Sequence, residues 1–307
     1  MKRGLLRFFT VVIIVLAIVV GIDVLVGKVM HLSLQRIGSE GQLGKTNYTL
    51  YEVDAPIVII GSSRASHHYD SKIIADSIGK GTYNAGRDGC FFTHNCCVIN
   101  TILDRYTPEI IVWEFNPFYL CEDAEDPVTS MYPYYGELDY VTDVLNDKLP
   151  TNEKIKLKSN IYRYNSLFLR VLMRVLLNRD YADLSLGYEP LAPKELLTPL
   201  VLSESKEEVK RVDNKAVMRF VETLKKAKSK GTKVLVVNSP RYEIKNDVKL
   251  IDKVVELCAT EDAVYVDKTS LFNDKPEFFN DITHMNLLGT EQYTKDVIEE
   301  IKNTLKY

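Results

Sequence analysis

The sequence lacks the residue patterns that metal sites and redox motifs require. Its five cysteines form no Cys-x-x-Cys pair, and no cysteine–histidine cluster has zinc spacing. We therefore predict no metal and no cofactor. Because the number of cysteines is odd, at least one thiol is unpaired or pairs between chains. Two interpretations stay open. The cysteines are buried free thiols, or one of Cys90, Cys96 and Cys97 forms a disulfide with Cys121 or Cys258.

A strong excess of charge is absent as well. The 307 residues carry a formal net charge of −3 and contain no basic stripe, so we exclude nucleic acid as an expected partner. There is no internal repeat and no low-complexity tract. Without a membrane segment about 270 residues remain, which fits one large α/β domain.

One long hydrophobic run is present, at residues 8–26, and only Thr10, Gly21 and Asp23 interrupt it. This length matches the roughly 20 residues that cross a bilayer as a helix. No convincing cleavage site for a signal peptide precedes Gly44. Basic residues before the run favour an N-terminus inside the cell, and these are Lys2, Arg3 and Arg7. We predict a single-pass anchor in the cell membrane over residues 1–30, with the remaining chain extracytoplasmic.

The chain after the anchor alternates apolar strands with helical patterns. We expect a stalk or linker over 31–55 and an α/β domain over 56–307, with a mainly parallel sheet covered on both faces. A helical insertion at about 118–204 interrupts the alternation, as a lid, a partner surface or additional packing. The strands are predicted at 57–60, 82–86, 110–115, 233–238 and 263–267, and the helices at 71–78, 91–106, near 155–178, 205–230, 248–259 and 287–304.

Ser63 follows the first predicted strand, after Gly61 and Ser62. A serine at this place lies at the carboxyl end of a parallel strand, where open α/β sheets bind ligands. The other predicted strand ends also carry polar residues or glycine, at Asn84, Gly86, Asn116, Asn238, Ser239 and Arg241. A full row of this kind predicts a cleft along one edge of the sheet.

A nucleophilic serine needs a general base, and His284 is the best candidate. Asp281 precedes it by three residues, so one loop can present both the carboxylate and the imidazole. The carboxylate can then fix the tautomer of the histidine ring. His67 and His68 follow Ser63 in the same turn, and we expect them to point away from it or to solvate a helix start.

The order of these residues resembles the sequence blocks of the SGNH/GDSL hydrolases. Block one matches Gly61-Ser62-Ser63, block two Asn84-x-Gly86, block three Asn116, and block five Asp281-x-x-His284. The resemblance runs from residue 57 to the last predicted helix, outside the insertion. It implies a three-layer α/β sandwich with a flavodoxin-like sheet.

The resemblance also implies residue roles. Ser63 is the nucleophile, Asp281 and His284 complete the catalytic set, and the oxyanion hole uses the N–H groups of Ser63 and Gly86 with the Asn116 side chain. Two positions depart from the family pattern. Ser62 replaces the usual acidic residue, and the usual Gly-x-Asn-Asp of block three is Glu-Phe-Asn-Pro. Candidate substrate-binding residues near the strand ends are Arg64, Asn84, Arg87, Asn238 and Arg241.

The Gly-Ser-Ser block is similar to that of membrane-anchored members of the family, such as those of the lipoteichoic acid D-alanylation system, and of polysaccharide O-acetyl esterases and transferases. This implies a membrane-anchored serine esterase or O-acyltransferase that acts on acyl groups of a cell-envelope or exported polysaccharide. A membrane-bound acyltransferase is an expected partner. Two alternatives are a catalytically silent protein of the same fold that binds glycan or the acyltransferase, and a lipase or thioesterase with the insertion as its lid.

Overall fold

The structure is a computed structural model that describes residues 2–34, 36–37, 41–165, 167–176, 186–195, 200–205, 211–245 and 248–306. The chain divides into two compact units. We name residues 39–130 and 182–307 the sheet unit. Residues 1–38 and 131–181 form the helical unit.

The described residues form seven strands and twelve α-helices. The strands are β1 (Ile57–Ile60), β2 (Thr82–Asn84), β3 (Ile110–Glu114), β4 (Ser203–Ser205), β5 (Lys233–Asn238), β6 (Glu243–Lys245) and β7 (Val264–Asp267). The helices are α1 (Lys2–Leu34), α2 (Gly41–Tyr51), α3 (Ser63–His68), α4 (Ser71–Ile78), α5 (Phe92–Arg105), α6 (Asp139–Lys148), α7 (Thr151–Lys156), α8 (Asn160–Tyr164), α9 (Phe168–Leu176), α10 (Asn214–Lys230), α11 (Val248–Thr260) and α12 (Leu287–Lys306). Short 3₁₀ helices cover Pro117–Leu120, Thr129–Tyr134 and Pro276–Phe278.

Five strands build one parallel sheet in the order β2-β1-β3-β5-β7. This confirms the predicted α/β class and the predicted positions of these strands to within two residues. β1 lies inside the sheet, where Ile59 pairs with Asn84 on one side and with Val112 on the other. A separate parallel pair, β4 and β6, lies outside this sheet.

The strands β1, β2, β3 and β5 are buried almost throughout, whereas the edge strand β7 is partly exposed. Ile57 and Ile59 belong to one core cluster with Tyr293 of α12. On the other face, Trp113 stacks against Phe92 of α5 and contacts Phe220 of α10. Burial on both faces explains why these strands are continuously apolar rather than alternating.

All five cysteines are free and buried, so the structure contains the free thiols and not the disulfide. Burial raises the pKa of the Cys258 thiol to about 12. It also raises the pKa of Cys90 and Cys96. Thiols with raised pKa values are poor nucleophiles, which fits a packing role for these side chains.

The linker predicted over 31–55 is wrong for most of its length. α1 continues to Leu34, and α2 packs against α5 in the sheet unit. Glycine and polar residues gave this segment the composition of a linker. Its buried polar groups are bonded within the segment or to the rest of the sheet unit: Thr49 Oγ1 donates to the Lys45 carbonyl (2.7 Å), and Lys45 Nζ donates to the Gly86 carbonyl (2.9 Å).

The insertion also differs from the prediction. Only residues 131–181 of the predicted 118–204 belong to the helical unit. The helix predicted near 155–178 is replaced by the short helices α7, α8 and α9. Ser159 interrupts it, because its side-chain oxygen accepts from the Tyr162 N–H (3.3 Å) and begins α8 as an N-cap. Within the described residues, α1 is the one helix long and apolar enough to cross a membrane.

Asp23 joins α1 to the start of α8. Its carboxylate accepts from the Ser159 hydroxyl (2.6 Å) and from the backbone N–H groups of Asn160 (2.9 Å) and Ile161 (3.0 Å). Gly27 lies one turn further along α1, where any side chain would collide with Asn160. Asp23, which interrupts the hydrophobic run, therefore accepts hydrogen bonds from N–H groups at the start of α8 that have no partner within the helix.

We expect Asp23→Ala to release the first turn of α8. Loss of charge-assisted hydrogen bonds worth about 1.5–3 kcal/mol should speed amide exchange at Asn160 and Ile161 by roughly 10–100-fold. Hydrogen–deuterium exchange of the full chain measures this. Asp139→Ala, at the exposed start of α6, is the matched control and should leave α8 exchange unchanged. Equal exchange in both variants would contradict the assigned role.

Candidate active site

Ser63 is the first residue of α3, directly after β1 and Gly61. The turn is tight, because a Cβ at Gly61 would lie 2.7 Å from the Cβ atoms of both Ala65 and Glu114. Chain connections leave in opposite directions on either side of β1 in the sheet order. Parallel α/β sheets bind ligands at the carboxyl ends of strands at such a point.

Ser63, His284 and Asp281 form one hydrogen-bonded chain. The distance from Ser63 Oγ to His284 Nε2 is 2.7 Å, and His284 Nδ1 lies 2.9 Å from Asp281 Oδ2. A proton on Nδ1 that is donated to the carboxylate leaves Nε2 free to accept from the serine hydroxyl. The structure thus brings together three residues that are up to 221 positions apart in the sequence.

The Asp281 carboxylate is held in place by its own loop. It accepts from the backbone N–H groups of Thr283 (2.8 Å) and His284 (2.9 Å), and from the Thr283 hydroxyl (2.8 Å). Partial burial acts to raise the pKa of Asp281, but hydrogen bonds from His284 and Thr283 outweigh it and lower the pKa well below its usual range. The group is therefore ionised throughout the neutral pH range.

His68 supports the position of His284 by holding the backbone of the next residue. It is fully buried, and its Nε2 accepts from the N–H of Met285 (3.0 Å). Burial lowers the pKa of His68 well below its usual value, so the ring is neutral and Nδ1 carries the proton. Nδ1 can then donate to the Ser239 hydroxyl at 3.1 Å.

His67 also packs beside the site, with its ring centroid 5.9 Å from that of His284. Its Nδ1 lies 2.6 Å from the Glu189 carbonyl, and its Nε2 lies 3.3 Å from the Asp88 carboxylate. Burial acts to lower the pKa of His67, but these two acceptors outweigh it and raise the pKa. Both ring nitrogens face acceptors, which is the environment of a doubly protonated ring.

A buried ion pair lies beneath the strand ends. Arg64 Nη2 is 2.7 Å from Glu114 Oε1, and both side chains are buried. Arg64 Nη1 donates to Asn238 Oδ1 (3.1 Å) and to the Ser239 carbonyl (3.0 Å). Arg64 is therefore committed to the fold rather than free for substrate, whereas the assignment of Asn238 as a substrate-binding residue stays a prediction. Ser62, which also lies near Glu114 at 3.5 Å, is buried with them.

Asn84 is a buried connector rather than a substrate-binding residue. Its Nδ2 donates to the carbonyls of Ala65 (2.7 Å) and Tyr69 (2.9 Å), and its Oδ1 accepts from the Gly86 N–H (2.9 Å). The Gly86 N–H, predicted as an oxyanion donor, thus already has an acceptor. A Cβ at Gly86 would lie 2.7 Å from the Ala65 carbonyl carbon, so only glycine fits against α3.

Asn116 and Arg241 line a small cleft, together with Asn238 and Thr269. Asn116 Oδ1 accepts from the Phe118 N–H (3.1 Å) and caps the following 3₁₀ helix. Arg241 Nη2 pairs with Glu243 at 2.9 Å. The contact with Phe118 uses the amide oxygen and not the donor Nδ2, so the assignment of Asn116 as an oxyanion donor stays a prediction.

Lys45 of α2 was missed, because a lone lysine in a linker-like segment gives no signal in the sequence. It is buried, and its Nζ donates to Ser66 Oγ (3.1 Å) and to the Gly86 carbonyl (2.9 Å). Arg87 Nη1 donates to Thr46 of the same helix (2.7 Å), so it too is engaged with protein. Over the described ranges, no three His, Cys, Asp or Glu side chains converge as metal ligands.

We expect Glu114→Gln to destabilise the sheet unit. Removing one partner of a buried pair leaves the Arg64 charge uncompensated, and the free energy of unfolding should fall by about 3 kcal/mol or more. Urea unfolding followed by emission of Trp113, the single tryptophan, measures it. Glu109→Gln breaks an exposed pair with Lys80 and should cost about 1 kcal/mol or less. Equal losses would contradict the assignment.

We expect His67 to give the sheet unit a defined pH dependence. Because its folded pKa is raised, its contribution to stability is complete below about pH 6.5 and is lost as pH rises through the folded value. The difference in unfolding free energy between the wild type and His67→Gln should therefore shrink from acidic to alkaline pH. Burial lowers the pKa of His94, so His94→Gln should give the opposite trend. A pH-independent difference for His67→Gln would contradict this.

Comparisons with known proteins add no assignment. No family model matches the chain, and no curated protein and no solved structure matches it.

Proposed function

We propose that this protein is a serine esterase or O-acyltransferase with Ser63 as its nucleophile. The observation that carries the proposal is the continuous contact from Ser63 Oγ through His284 to Asp281, with distances of 2.7 and 2.9 Å. A nucleophile within reach of a base, and the base oriented by a third group, is the arrangement of activated serines.

The reaction follows two half-steps. Ser63 Oγ bonds to the acyl carbon of an ester while His284 Nε2 takes the hydroxyl proton. That proton passes to the leaving alcohol, and the acyl group stays on Ser63 as an ester. Water or a glycan hydroxyl then attacks this ester, gives its proton to His284, and carries the acyl group away as the Ser63 hydroxyl reforms.

Negative charge on the acyl oxygen requires donors near Ser63. The Ser63 N–H lies at the first position of α3, ahead of the intrahelical hydrogen bonds. Gly86 can contribute only by sharing an N–H that already donates to Asn84. Loss of one oxyanion donor typically costs about 10²–10³ in rate, so this protein would be a slow enzyme unless substrate reorients these groups.

The resemblance to SGNH/GDSL hydrolases supports the finer features of the proposal. The sheet order β2-β1-β3-β5-β7 and helices on both faces fit a three-layer, flavodoxin-like sandwich. We propose acyl groups of a cell-envelope or exported polysaccharide as substrate, and a membrane-bound acyltransferase as partner. An anchor through α1, with the sheet unit outside the cell, suits a polymer held near the membrane.

A second candidate is a catalytically silent protein that binds glycan or the acyltransferase. The observation that favours it is the engagement of one predicted oxyanion donor, since the Gly86 N–H already donates to Asn84 Oδ1. Such a protein would keep the serine–histidine contact without turnover.

Labelling of the full chain with a fluorophosphonate distinguishes the two. We expect covalent labelling of Ser63, and loss of p-nitrophenyl acetate hydrolysis by at least about 10⁴-fold in Ser63→Ala and His284→Ala, because these residues act as one unit. Ser62→Ala is the matched control, since Ser62 is buried beside Glu114 and should leave labelling intact.

The outcomes separate the candidates. A folded chain that is not labelled, with no hydrolysis above the Ser63→Ala background, would remove the enzymatic function and leave the silent binder. Labelling of Ser62 in place of Ser63 would contradict the assigned nucleophile.

A further inference from the structure

The helical unit has a surface whose role does not depend on the activity proposed for Ser63. α8 and α9 are attached to the outer end of α1. The Asp23 carboxylate holds the first turn of α8 with four hydrogen bonds, from Ser159, Asn160 and Ile161. α9 also packs against α1. The start of α8 is therefore fixed at the height of Asp23 along α1.

That height coincides with the end of the hydrophobic run. Asp23 lies three residues before Val26, which is about 5 Å along a helix. If α1 spans a bilayer, α8 begins near the boundary between the hydrocarbon and the headgroups. Amphipathic helices that bind membranes without crossing them lie at this depth, about 5–10 Å into the boundary.

α9 exposes a large apolar face. Leu169 is 68% exposed, Met173 47%, Phe168 42% and Leu172 38%, whereas Val171 is buried. The spacing of the exposed four, at i, i+1, i+4 and i+5, places them on one side of the helix. A contiguous apolar face of this kind is uncommon on a soluble surface and marks a binding site for a partner or a membrane.

The charge of residues 154–176 indicates which kind of partner this apolar face binds. Residues 154–176 contain no Asp or Glu, although the whole chain has a net charge of −3. Lys156, Lys158 and Arg170 are exposed. Basic residues beside an apolar helix face favour anionic lipid headgroups. The six basic residues of the segment are Lys154, Lys156, Lys158, Arg163, Arg170 and Arg174.

We propose that α8 and α9 lie in the headgroup layer of the bilayer that α1 crosses, with the exposed face of α9 inserted and the exposed Lys158 and Arg170 on anionic lipids. α9 packs against α1, whose apolar side chains are exposed, and this favours lipid over a protein partner. α8 and α9, which lie within the predicted insertion, then form a membrane-binding surface that fixes the orientation of the helical unit.

Depth-dependent quenching in nanodiscs tests this with the full chain. We expect emission of Leu169→Trp to shift to the blue and to be lost when the lipids carry bromine near the headgroup. Met218→Trp, at a 61% exposed apolar position on α10, is the matched control and should stay unquenched. Both variants retain buried Trp113, so the difference between them reports the added residue. Phe168→Trp should behave as Leu169→Trp, which guards against a failure to fold.

Lipid composition provides the second arm. Quenching of Leu169→Trp should be stronger in phosphatidylglycerol than in phosphatidylcholine, and this preference should vanish when Lys156, Lys158 and Arg170 are replaced by Gln. A photoactivatable phosphatidylglycerol should crosslink to peptides from 161–173 in the unmodified chain. Water-like, unquenched emission at positions 168 and 169 in both lipids would overturn the proposal and leave a protein as the cover of this face.

Discussion

The buried pair of Arg64 and Glu114 is the contact on which the site depends. A full charge cannot stay inside a protein without a partner, so α3 can occupy only the position that brings Arg64 onto β3. Ser63 precedes Arg64 by one residue and inherits that position. Burial raises the pKa of Glu114, which Arg64 opposes, so the carboxylate and the guanidinium stabilise each other's charged forms. The ion pair thus helps to position Ser63, in addition to the contact of Ser63 with His284.

His284 is positioned by a second buried hydrogen-bond network, which also ends on the Glu114 carboxylate. His68 holds the backbone at Met285, next to His284, and can donate through Ser239 toward Glu114. All of these groups are buried, where hydrogen bonds are stronger and an unmade one is costly. Both Ser63 and His284 are therefore positioned by contacts that lead to Glu114, although the two residues are far apart in the sequence.

The sequence predicted the features that follow from periodicity and from strand ends. Continuous apolar runs located the five sheet strands, and the three-residue spacing of Asp281 and His284 predicted one loop that presents both. Their catalytic role stays a prediction. Residues that act through burial were not predictable, because Lys45 and His68 carry no pattern that separates a satisfied buried group from a surface one. The structural role of Asp23 was not predictable either, because its hydrogen-bond partners are more than 130 residues away in the sequence.

The separation of Ser63 and His284 by 221 positions has a consequence for biosynthesis. At roughly 5–20 residues per second, a ribosome adds the histidine about 10–45 s after the serine. During that time the chain carries a serine hydroxyl with no base to accept its proton. Completion of the last loop and α12 is therefore the step that assembles the serine–histidine contact, and a chain truncated before residue 281 would lack it whatever else had folded.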